Sequence, residues 1–128
     1  MNRRGFLWAV GATGLGLVWP DLVGRAGASV GEELIREALR ERRPLEFHYH
    51  GHKRHAEPHA LGQMKDDRLA LLAWQVAGGS QSEPPPGWRT FLVEEIEAQR
   101  LRPETFTPRS DYRPEKTRFA KIIAEVAP

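Results

Sequence analysis

The apolar positions change their period along the chain. From Ser29 to Arg43, Leu34, Ile35, Ala38 and Leu39 fall on one face at helical spacing, while Arg36, Glu37, Arg40 and Glu41 fall elsewhere. This predicts an amphipathic helix. Ser29 and Glu32 have the spacing of a capping box, and Glu37 and Glu41 are placed to pair with arginine neighbours. Pro44 ends the helix, because the residue before a proline avoids the helical region. From there the period becomes two. Leu45, Phe47 and Tyr49 alternate with Glu46, His48 and His50, the pattern of a half-buried strand.

Four further strands are predicted. Gly51-His52 is a tight-turn candidate, and a second strand runs from Arg54 toward Leu61, with Pro58 near an edge or a bulge. Lys65-Asp66-Asp67 is a polar turn. Leu69 to Trp74 is a short apolar run, fit for a strand buried on much of both faces. Gly78 to Gly87 reads as a loop with a stiff Pro84-Pro85-Pro86 end. Trp88 to Val93 and Ala98 to Leu101 are the last two strands. Pro103, Pro108 and Pro114 break the tail. Glu115 to Val126 is expected as a final helix, with Phe119, Ile122, Ile123 and Val126 on one face. A helix, five short strands and a C-terminal helix in so small a domain suggest a small β-barrel or a strongly bent sheet.

The residues before Ser29 follow a different logic. Asn2-Arg3-Arg4-Gly5-Phe6-Leu7 resembles the bacterial twin-arginine export signal, and the marked residues are Arg3, Arg4, Phe6 and Leu7. An uncharged stretch from Gly5 to Pro20 follows, shorter than the 18 to 20 or so residues of a membrane span. Ala26-Gly27-Ala28 then offers a small-x-small cleavage site at Ala26 and Ala28. Residues 1–28 are expected to be a signal peptide, residues 29–110 a barrel domain with its leading helix, and residues 111–128 a helical tail. The expected location is periplasmic or extracytoplasmic, reached through the twin-arginine machinery, with no stable membrane span. An ordinary secretory signal and an uncleaved anchor are the alternatives.

Removing this segment changes the charge balance. The chain has 19 Lys+Arg and 17 Asp+Glu. Arg3, Arg4, Arg25 and Asp21 lie in the first 28 residues, which leaves 16 of each sign. The basic whole-chain composition is therefore no argument for nucleic-acid binding. There is no cysteine, which excludes disulfides and a lipoprotein anchor.

Four pieces of the chain resemble the WYL domain family in the family's order. They are the run from Leu34 to Tyr49, Ala56-Glu57-Pro58-His59-Ala60-Leu61, Trp88 to Glu97, and Arg102-Pro103-Glu104-Thr105-Phe106. The resemblance covers roughly Glu33 to Pro108. It implies an Sm-like or SH3-like five-stranded β-barrel, here flanked by an N-terminal and a C-terminal helix. It also implies a sensing module with a groove for nucleic acid or another anionic ligand, often joined to a helix-turn-helix, for which no room is expected before Glu32. The chain departs from the family's pattern at two places. The naming triplet falls at Leu69-Ala70-Leu71, where only the leucine remains. An arginine of the family falls at Glu95, where a carboxylate repels an anion.

The candidate groove residues are Tyr49, His50, Arg54, Trp74, Arg89 and Phe91, for a small or anionic ligand. The alternative role for Trp74, Trp88 and Phe91 is core packing. Arg40, Arg42, Arg43, Lys53 and Arg54 add positive charge near the first hairpin, as an anion surface or as solvated helix-end charge. Five histidines lie between His48 and His59. Of these, His48, His50 and His52 are a candidate metal set, against a simple solvated His-rich face. No nucleophile motif, phosphate loop or acid/base pair stands out, so no catalysis and no cofactor are expected. The expected function is a non-catalytic binding or sensing module of the cell envelope. The alternatives are a His-rich metal-binding envelope protein and a cytoplasmic nucleic-acid-binding or regulatory protein.

Overall fold

The computed structural model describes residues 29–80 and 84–128. The export signal, its cleavage site and Gln81-Ser82-Glu83 lie outside the described residues.

Helix α1 spans Val30–Glu41. The Ser29 hydroxyl accepts from the Glu32 N–H at 3.1 Å, as the capping spacing requires. The Glu32 carboxylate does not complete the box and pairs with Arg36 at 2.9 Å instead. The helix stops two residues short of Arg43. Arg42 takes a left-handed conformation with φ 54°, and its N–H closes onto Ala38 O, the ordinary way to satisfy a last-turn carbonyl. Ile35, Ala38 and Leu39 are the buried stripe.

Six strands follow: β1 Leu45–Tyr49, β2 His52–Gln63, β3 Leu69–Gly78, β4 Gly87–Leu92, β5 Glu97–Leu101 and β6 Lys121–Glu125. All pair antiparallel in one sheet of order β4-β3-β2-β1-β5, with β6 beside β2. The β1–β2 turn places His50 and Gly51 at φ 50° and 80°, the conformation of a two-residue hairpin. Strand β2 is the hub. One edge pairs with β3 along most of its length. The other is divided, β1 taking His52 to Ala56 and β6 taking Ala60 to Gln63. Register shifts between His55 and Ala56 and between Pro58 and Ala60 bend it, as expected at the proline.

The bend curls the sheet. Phe47 of β1 and Phe91 of β4 are separated by two strands, so in a flat sheet they would sit roughly 14 Å apart at the usual strand spacing. Their ring centroids are 5.0 Å apart, edge to face. Around this pair gather Leu45, Leu61, Leu71 and Ala73, closed by α1 through Ile35 and Leu39. Each large side chain so buried contributes about 1.5–3 kcal/mol.

Two features of the expected architecture are corrected. The five-stranded barrel is instead a six-stranded open sheet, since no ladder joins β4 to β5. At that gap the Leu92 N–H donates to the Tyr49 hydroxyl at 3.0 Å, and a short 3-10 turn, Val93–Glu95, leads the chain away. The C-terminal helix is instead a 3-10 turn, Pro114–Lys116, followed by β6. Strand β1 is too short to cover β2, and β6 supplies the partner that the bare edge needs. Phe119 then packs on Gly62, where any Cβ would meet its ring.

Candidate ligand-binding site

Strand parity sorts the predicted groove residues onto two faces. Arg54, Gln75, Arg89 and Phe91 share the inner, concave face with Tyr49. Trp74 and Trp88 point outward from β3 and β4 and meet edge to face at 5.4 Å. The six candidates therefore do not line one groove.

On the inner face, Arg54 is only 4% exposed. Its guanidinium donates to Tyr49 O at 3.0 Å and to Gln75 Oε1 at 3.2 Å, and among the described residues its Nε has no hydrogen-bond partner. The rings of Tyr49 and Phe91 lie 5.5 and 5.6 Å from its central carbon, a cation–π distance. Among the described residues no carboxylate pairs with it. Burial, and then the positive charge of Arg89, push its pKa down. Sequence inspection missed Gln75, which is fully buried. Its amide donates to Ala77 O and Gly79 O at 3.1 and 3.0 Å, which leaves its oxygen to face Arg54. The only sequence signal was parity with Ala73, two residues earlier on the same face. Gly78, at φ 103°, lets β3 approach the Lys53 carbonyl where no side chain would fit, and so holds the end of β3 against Arg54.

At the rim, His50 stacks on Tyr49 at 4.1 Å, and its Nε2 lies 2.5 Å from Glu95 Oε1. Arg68 NH2 reaches Glu95 at 3.2 Å and Glu94 at 2.8 Å. The hydrogen bond from His50, reinforced by Arg68, holds the Glu95 carboxyl below the ordinary carboxylate range. Glu95 is thus engaged by His50 and Arg68 and is not a bare charge. Burial and the nearby Glu95 push the Tyr49 phenol up, so it stays protonated at neutral pH.

His48, His50 and His52 do not come together. His48 is an exposed strand residue opposite Lys53, His50 turns to Glu95, and His52 lies against Gly79. Among the described residues no three His, Cys, Asp or Glu side chains gather as a metal set. The turn explains the difference: at φ 50° His50 leaves the strand, so the alternation that would have put it on the face of His48 ends at Tyr49.

The outer face is closed by the tail. Arg109 lies 3.5 Å above the Trp74 ring and grips Asp111 with two hydrogen bonds of 2.9 and 3.2 Å. Trp74 is therefore a covered packing residue. Beside it, His59 is fully buried. Its Nδ1 donates to Glu57 O at 2.9 Å and its Nε2 accepts from the Arg109 N–H at 3.0 Å, which fixes the neutral tautomer. Burial pushes its pKa below 6.5.

The model of the WYL domain family matches residues 33–101. This chain belongs to the WYL domain family. The match spans α1 through β5 and stops before the tail and β6. Among solved structures, proteasome accessory factor B/C (PafBC) of Arthrobacter aurescens is similar, with a TM-score of 0.54 at 17% identity. The alignment covers 66% of this chain and 13% of that one, so the likeness speaks for the fold alone. No curated protein sequence matches. Among the described residues no helix is long and apolar enough to cross a membrane.

Proposed function

We infer that this WYL domain is a non-catalytic sensing module whose ligand is an anion held at Arg54 and Arg89, working outside the cytoplasm after twin-arginine export. One observation carries the ligand reading: among the described residues, Arg54 is a buried guanidinium with neutral hydrogen-bond partners and an unused Nε. A buried charge is costly unless an opposite charge or full hydrogen bonding offsets it. Arg89 on the same face adds repulsion, which an anion would relieve. Half-buried Arg89 is the outer contact and Arg54 the inner one. The groups gathered here are two guanidiniums, an amide and a phenol, suited to holding a charge more than to moving a proton. Support for export comes from Arg3-Arg4-Gly5-Phe6-Leu7, the uncharged run behind it and Ala26-Gly27-Ala28.

The test of the ligand reading is calorimetry with inorganic phosphate and a single-stranded oligothymidylate. Arg54→Gln should weaken binding of whichever probe engages the site by about tenfold, the value of one charge-assisted contact. Equal affinity in the variant would make Arg54 purely structural. An oligonucleotide preference over phosphate would turn the reading toward nucleic acid, and its affinity should then fall steeply with salt. For export, fractionation of the native host should find a shortened protein outside the cytoplasm, lost in the Arg3→Lys, Arg4→Lys variant. Full-length cytoplasmic protein in both would overturn the localisation.

A further inference from the structure

The tail beyond the family match builds a cavity on the opposite face of the sheet from Arg54. Its volume is about 500 Å³, within the usual range for a small-molecule site. The floor is Leu72 and Thr90, outward-facing residues of β3 and β4, and the aromatic walls are Trp88 and Tyr112. Their rings lie 6.2 Å apart and are inclined at 42°. The rim carries Arg113, Lys116 and Arg118.

Among the described residues the three rim cations form no ion pair with a carboxylate, although the charge of Glu115 is felt at Tyr112. The one carboxylate in the lining, Asp111, is held by Arg109 and by the Trp88 indole N–H, and these bonds keep its pKa low. The guanidinium of Arg113 donates only to the backbone carbonyls of Ser110 and Tyr112. The nearby Glu125 carboxylate is turned to the Tyr112 hydroxyl at 2.6 Å. The walls are also held in place. Tyr112 is fixed through Glu125 of β6, and Trp88 is fixed by Asp111 and by His59, whose ring packs edge-on at 4.8 Å.

We propose that this cavity binds a mononucleotide-type ligand: a planar base laid against the aromatic wall that Trp88 and Tyr112 form together, and a phosphate on Arg113, Lys116 and Arg118. Aromatic walls take the face of any base. Three cations around one opening match the oxygens of a phosphate better than the two of a carboxylate. The site stands apart from the inner-face anion reading and uses none of its residues.

The test is a titration of the protein with adenosine 5′-monophosphate, followed by calorimetry and by the NMR signal of the Trp88 indole N–H. Adenosine and inorganic phosphate serve as the half-ligands. The nucleotide should shift the Trp88 signal and bind at least about tenfold more tightly than either half. The Arg113→Ala, Lys116→Ala, Arg118→Ala variant should weaken it by about tenfold or more while keeping the thermal midpoint, since all three residues are at the surface. Arg118→Glu should weaken it in the same direction as a single charge reversal. Unchanged affinity in these variants, or no Trp88 shift at millimolar nucleotide, would overturn the proposal. A nucleotide that perturbs Arg54 and leaves Trp88 unmoved would also overturn it, and would leave the inner-face reading intact.

Discussion

On the inner face of the sheet, Arg54 is enclosed by a carbonyl, an amide and two aromatic rings, with no carboxylate partner among the described residues. On the outer face, Arg109 lies over Trp74 with Asp111 clamped to its side. The two arginines have similar aromatic neighbours and different electrostatics. An exposed pair of the Arg109–Asp111 kind contributes little to stability by itself, but it orients the tail. A buried unpaired cation costs stability and leaves charge available. On the function proposed above, the inner face trades stability for anion binding, whereas the outer face uses its charges to hold chain to chain.

The contrast can be broken from either side. The largest effect is expected at the packing beneath the inner site. Phe47→Ala should leave a cavity against Phe91 and cost about 3–5 kcal/mol, read as a lowered midpoint in denaturant. An unchanged midpoint would mean that the inner face is not the core.

A smaller effect is expected on the outer face. His59→Leu strands the Arg109 N–H and should cost about 1–3 kcal/mol. The same residue gives a pH dependence with a definite sign. Its folded pKa lies below 6.5, so the unfolded chain binds the proton more readily. Its contribution is fully present above about pH 6.5 and is lost as pH falls from there through the folded value. Arg109 and Asp111 are the charged residues facing the ring, Glu57 meets it through its backbone carbonyl, and Trp88, Phe106 and Tyr112 lie around it. His59→Gln, compared with wild type in thermal melts at pH 7.5 and 5, should flatten this acid-side loss.

The smallest effect on stability sharpens the comparison most. Arg54→Met removes two hydrogen bonds and also removes a buried charge. The opposing terms should leave stability within about 1 kcal/mol of wild type, while anion binding is lost. A large destabilisation would place Arg54 with Arg109 as a structural cation.

What was legible in the sequence follows from which forces act locally. Leu45, Phe47 and Tyr49 alternate because β1 has one buried face, and Ser29 caps α1 through a bond to its own first turn. Both are short-range facts. The tail deceived because Phe119, Ile122, Ile123 and Val126 have true helical spacing. Their conformation is decided by the vacant edge of β2 at Ala60 to Gln63, a partner sixty residues earlier. The groove was misassembled for a related reason. Trp74 and Arg54 were grouped by chemical type, but one-residue parity on β3 sets Trp74 outward and Gln75 inward. An arginine in a strand reads as a solvent-facing residue, and only the curl of the sheet shows Arg54 enclosed. Glu95 was correctly located as a negative charge, but its pairing with His50 and Arg68 depends on a turn and on the β2–β3 connection meeting in space.

The divided edge of β2 has one further consequence, for solubility. With β6 in place, the amides and carbonyls of Ala60 to Gln63 face a strand of the same molecule. Without the last eight residues they would be open to any extended chain that came near, including the same bare edge of another copy. A truncation that spared every residue of the family match would then produce a protein whose copies join edge to edge, and a growing share of it would leave solution as its concentration rose.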